Sequence, residues 1–144
     1  MGTLMEDRQS VNGHADDFVM SELRLAIDPE SVAYARQFVK VVLSAWSVPD
    51  TDDAELLLSE VATNVLKHTG NSDQPMHIRI ERVGARVRIE VHDPSSNPPK
   101  PRKAGVLDQS GHGLFLVEMI AIDWGFSTFT SSKVVWFEMK HGRR

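Results

Sequence analysis

Two runs of alternating apolar and polar residues, MHIRIERV from Met76 and RVRIEVHD from Arg86, are separated only by Gly84-Ala85. Alternation is the period of a half-buried strand, and so short a link closes a hairpin instead of a helical crossover. That pairing commits the middle of the chain to an antiparallel sheet. WGFSTFT and KVVWFEMK, near the C-terminus, form a second pair of the same kind, and SELRLAI from Ser21 alternates Leu23, Leu25 and Ile27 on one face.

The remaining segments have helical period. Asp28 can cap free amides ahead of Pro29, whose missing N–H costs nothing in a first turn. From Glu30 to Trp46 the residues Val32, Ala35, Phe38, Val39, Val42 and Leu43 then recur at three- and four-residue steps. After Pro49-Asp50-Thr51-Asp52, Ala54 to Lys67 carries Leu57, Leu58, Val61, Ala62 and Val65 in one stripe. A third helix, LFLVEMIAI, opens at Gly111-His112-Gly113 and is closed by Asp123-Trp124-Gly125. The order β–α–α–β–β–loop–α–β–β predicts an α+β two-layer sandwich, a mostly antiparallel mixed sheet with three helices on one face. Residues 1–20 read as a mobile leader and 21–144 as a single domain, consistent with a length of 144 residues and 41% hydrophobic content. Residues 94–110 break both periods with Pro94, Pro98, Pro99 and Pro101, and a loop of that length is a candidate lid.

Composition removes several classes of function. Sixteen Lys+Arg against twenty Asp+Glu give a net charge of −4, so no global positive field draws in a phosphate backbone, and direct nucleic-acid binding is not expected. The absence of cysteine excludes disulfides, thiolate nucleophiles and Cys-ligated metal centres. None of the six histidines pair at H-x-x-x-H spacing, and no run approaches the ~20 apolar residues of a membrane span. A cytoplasmic chain without a membrane anchor is the expectation.

Three clusters carry possible chemistry. Glu60 and Asn64 lie four apart on the second helix, nearly stacked at the polar edge of its stripe. Asn64 offers a hard carbonyl oxygen suited to Mg²⁺ and Glu60 a carboxylate able to take a hydroxyl proton, although the same spacing also suits a solvated helix face. Asp93 closes a strand beside the long loop, where a carboxylate can accept from an exocyclic amine or simply start a turn before Pro94. Gly111-His112-Gly113 precedes an apolar helix, whose free amides favour a phosphate, or is a plain loop-to-helix junction.

Taken in order, ELLLSEVATNVLKHTG, RIEVHDPSSNPP, SGHGLFLVEMIAIDWGF and KVVWFEM resemble the GHKL (Bergerat-fold) ATPases, in particular the anti-sigma-factor serine-protein kinases, over about Leu23 to Met139. The resemblance implies a histidine kinase-like ATPase fold that binds ATP and Mg²⁺. It places the family's E-x-x-x-N on Glu60, acting on the nucleophile, and Asn64, ligating Mg²⁺. The adenine-binding Asp falls on Asp93, the second glycine motif on Gly111-His112-Gly113-Leu114, and the family's usual His after the Asn on His68. Beside the resemblance, the basic lid residues Lys100, Arg102 and Lys103 could reach phosphates, although exposed Lys and Arg on a loop mostly serve solvation alone. It further implies phosphorylation of a serine on a STAS-type anti-sigma factor antagonist, binding to a sigma factor, and a possible homodimer. Two departures stand out. No glycine follows Asp93 where the superfamily has D-x-G-x-G, and Val134 stands where many relatives place a Thr that supports adenine through water, so modest nucleotide affinity is expected. The alternative is a non-catalytic module, with or without nucleotide, that sequesters a regulatory partner.

Overall fold

The computed structural model describes residues 18–69, 73–95, 117 and 119–141. Their elements run β1 (Phe18–Leu25), α1 (Glu30–Ala45), α2 (Asp52–Thr69), β2 (Met76–Val83), β3 (Arg86–Asp93), β4 (Asp123–Thr128) and β5 (Lys133–Lys140). The strands make one sheet in the order β1-β2-β3-β5-β4. Every neighbouring pair is antiparallel, so the expected mixed character is absent among the described residues. The β2–β3 hairpin turns at Gly84, whose φ of 60° is available to glycine at little cost, with Val83 facing Arg86 across the two-residue link.

Local chemistry sets the helix ends. Asp28 Oδ1 accepts the Glu30 amide at 2.9 Å, relieving a first-turn donor that Pro29 cannot cap with a side chain. At the other end of α1, Val48 N–H reaches Leu43 O at 2.9 Å and Ser47 N–H reaches Ser44 O at 3.0 Å, while Ser47 takes a positive φ of 67°. This is a Schellman closure made without glycine, and burial of Val48 against the core offsets its backbone cost. For α2, Asp50 Oδ1 accepts the Asp52 amide at 3.0 Å and Thr51 Oγ1 donates to Glu55 Oε2 at 2.6 Å. Asp52, Asp53 and Glu55 in its first turn and Lys67 and His68 in its last complement the helix dipole.

One face of the sheet carries the core. Met76, Ile78 and Ile80 of β2, Val87, Ile89 and Val91 of β3 and Phe137 of β5 are buried against Val39 and Leu43 of α1 and Leu57, Leu58, Val61 and Val65 of α2. Val117 joins this core fully buried, and Val117, Met119 and Ile120 are helical, with Ala121 N–H bonded to Val117 O at 2.8 Å. They are the described part of the expected third helix; residues 114–116 and 118 lie outside it. α1 and α2 are thus the two full helices among the described residues.

Three boundaries differ from expectation, each because strand pairing overrides local composition. β1 extends back to Phe18, into the stretch read as leader, since Phe18–Met20 pair with Glu81–Val83 of β2. It stops at Leu25, opposite the first residue of β2, and leaves Ile27 outside the strand. Asp123-Trp124-Gly125 does not simply end a helix: it begins β4, drawn onto β5 from Ile122 N–H, which donates to Glu138 O at 2.9 Å.

The opposite face is a polar ladder. His77 Nε2 lies 2.7 Å from Glu22 Oε1, and His92 Nε2 lies 2.9 Å from Glu90 Oε1. The two rings stand 5.1 Å apart, and the Arg88 guanidinium sits 4.2 Å over the Trp136 ring while bonded to Glu90 and Glu138. Burial lowers the His77 pKa against the opposing pull of Glu22, so the 2.7 Å contact near neutral pH is a hydrogen bond from a neutral ring. The hydrogen bond from His92, aided by Arg88 and opposed by burial, holds Glu90 down at about 2.

Both shifts make the folded state resist protons that the unfolded chain accepts, so stability falls with acidification in two windows. The His77 loss begins as pH drops below the ordinary histidine value of 6.5. The Glu90 contribution, on the order of 1–3 kcal/mol, is complete above 4.5 and disappears as pH falls toward about 2. Urea midpoints measured from pH 7 down to pH 3 should decline through both windows, and His77→Gln should shrink the upper one to the part contributed by His141, whose pKa burial also lowers. A level profile contradicts this account.

Candidate functional site

The C-terminal end of α2 meets the end of β3 at one buried carboxylate. Asp93 is 2% exposed, and its Oδ1 accepts twice, from Thr69 Oγ1 at 2.7 Å and from the Ser95 amide at 2.9 Å. Its Oδ2 is also buried and receives no hydrogen bond among the described residues. The Lys133 ammonium stands 3.3 Å from that oxygen, near enough for charge attraction but without hydrogen-bond geometry. A buried acceptor left this way costs about 1–3 kcal/mol, more when charged, and a donor brought by a ligand would recover it.

Strand alternation determines which residues share this site. Asp93 follows Ile89 and Val91 on the helix-facing row of β3, and β5 places Lys133 directly opposite it. Thr128 of β4 stands opposite Lys133 on the same row. Val134 is paired with His92 and therefore belongs to the other face of the sheet. The expectation that Val134 takes the place of an adenine-supporting hydroxyl is thus corrected: the residue facing Asp93 is Lys133, and the inferred loss of nucleotide affinity at Val134 has no geometric basis.

Glu60 and Asn64 lie on α2 as expected, both half-buried beside the buried residues Leu57, Val61 and Val65. At 1.5 Å per residue, Asn64 lies about 7.5 Å back along the helix from Thr69. The Thr69–Asp93 bond therefore ties the helix that carries both residues to the strand that carries the carboxylate. His68 is exposed in the same last turn. Gly111, His112, Gly113 and Leu114 lie outside the described residues, as do Lys100, Arg102, Lys103 and all of the expected lid beyond Pro94 and Ser95.

Thr69 and Lys133 are the two site residues that sequence reading missed. Lys133 carried a usable signal, because counting by twos from Phe137 through Val135 puts it on the core-facing row of β5, as counting from Ile89 does for Asp93. Thr69 carried none, since its contact spans 24 residues and depends on how α2 lies across the sheet.

Among the described residues no group of three His, Asp or Glu side chains is placed to hold a metal by itself, and no helix is long and apolar enough to cross a membrane. The chemistry open to the site is recognition of an N–H donor by the buried Asp93 Oδ2, with the Asn64 amide and the Glu60 carboxylate further back along α2.

A model of the histidine kinase-like ATPase domain matches residues 25–138. The chain is also 35% identical over 71 residues to an uncharacterized protein of Streptomyces coelicolor, a match that covers 47% of this chain and 67% of the relative.

Proposed function

Because the chain belongs to the histidine kinase-like ATPase domain family, we propose that it is an ATP-binding regulator of the anti-sigma type, a protein serine kinase acting in the cytoplasm. The observation that carries the nucleotide reading is the buried Oδ2 of Asp93, which faces the Lys133 ammonium but takes no hydrogen bond among the described residues, an acceptor suited to the exocyclic amine of adenine. The glycine motif at Gly111-His112-Gly113-Leu114 supplies backbone amides to the phosphates. Asn64 would hold Mg²⁺ through its amide oxygen, and the ion would neutralise phosphate charge.

Asp93 orients the base, and α2 sets Asn64 and Glu60 at fixed steps from it. Glu60 accepts the hydroxyl proton of a serine on an anti-sigma factor antagonist as that oxygen takes the γ-phosphoryl group, the bond to the β-phosphate breaks and ADP departs. A sigma factor is the second partner, whose binding would follow nucleotide state.

Calorimetric titration of the protein with ATP and Mg²⁺ tests the reading: one saturable site is expected. Absence of binding leaves a nucleotide-free module that sequesters its partner, and binding without phosphoryl transfer leaves a nucleotide-bound one.

A further inference from the structure

We propose that Lys133 is a base-reading residue, its ammonium donating to the ring nitrogen N1 of adenine while Asp93 Oδ2 accepts from the adjacent exocyclic amine. This rests on the ATP reading above and assigns the second half of the base contact. Lys133 is held opposite Asp93 by the β3–β5 register, with its side chain only 13% exposed and its Nζ 3.3 Å from Oδ2. The pair thus presents one acceptor and one donor side by side at the ends of β3 and β5. The Watson–Crick edge of adenine offers the complement, an amine donor next to a ring-nitrogen acceptor.

The charge pair also accounts for how a carboxylate this buried is tolerated, because a lone ion would be strongly disfavoured there. The lysine therefore has a structural role in any case, and the test must separate that role from base reading. A lysine that only neutralised Asp93 would be indifferent to what occupies position 1 of the purine. A lysine that donates to N1 would not, since hydrogen bonds involving a charged group are the stronger class.

The experiment compares ATP with 1-deaza-ATP, in which N1 is replaced by C–H, by calorimetric titration of the unaltered protein in Mg²⁺. Base reading predicts about 10-fold weaker binding of the analogue. Lys133→Met, checked for folding by circular dichroism, should bind ATP about 10-fold more weakly and no longer distinguish the two nucleotides. Equal affinity of the unaltered protein for both nucleotides overturns the proposal while leaving the Asp93 contact standing, even if Lys133→Met fails to fold. Tighter ATP binding by Lys133→Met overturns it too, because the ammonium would then compete with the purine. Preference for GTP over ATP overturns it by assigning the pair to O6 and N1–H of guanine. If the unaltered protein binds no ATP, the functional reading and this inference fall together.

Discussion

Asp93→Asn is expected to weaken ATP binding about 100-fold while the protein stays folded. The substitution keeps side-chain volume and one carbonyl oxygen. That oxygen can still accept from Thr69 Oγ1 and the Ser95 amide, the two donors that now address Oδ1. The amide nitrogen then takes the place of Oδ2, where it presents hydrogens to the adenine amine and to the Lys133 ammonium. An acceptor has become a donor facing donors, so the loss includes repulsion as well as a missing bond. Titration with ATP, alongside thermal unfolding of the same sample, separates lost recognition from lost fold. Unchanged affinity would remove Asp93 from the base contact.

Glu60→Gln should slow phosphoryl transfer by on the order of 10²–10⁴-fold and leave ATP affinity within about twofold. Gln retains length and polarity, so the half-buried position on α2 is repacked with little strain. It cannot take a proton, and a serine hydroxyl attacking the γ-phosphorus must lose one. The measurement is transfer of labelled γ-phosphate to an antagonist protein co-purified from the source cell. A Gln variant that transfers at the full rate would assign the proton elsewhere, and one that no longer binds ATP would give Glu60 a binding role instead.

What could be read from residues alone followed the distance over which each feature is determined. The β2–β3 hairpin and the two long helices depend on neighbours in sequence, and their periodicity and caps identified them to within a few residues. Ends fixed by a distant partner did not show: Phe18–Met20 become strand because β2 continues beside them, and Asp123-Trp124-Gly125 becomes strand because β5 does. The site divides the same way. Asp93, Glu60 and Asn64 sit in short local strings whose resemblance to the family singles them out as candidates, where a strand-ending carboxylate or a helical step of four alone would not. Lys133 and Val134 exchange meaning once the register is known, since a shift of one residue sends a side chain to the other side of the sheet.

The double commitment of Asp93 Oδ1 to Thr69 and to the Ser95 amide has an entropic consequence. A carboxylate pinned by two donors from different segments has already lost its rotational freedom during folding. Under the proposed reading, an incoming purine would meet a rigid lone pair with a settled direction, and about 0.5–1.5 kcal/mol of side-chain ordering that a floppy acceptor would charge against affinity would be absent from the binding step.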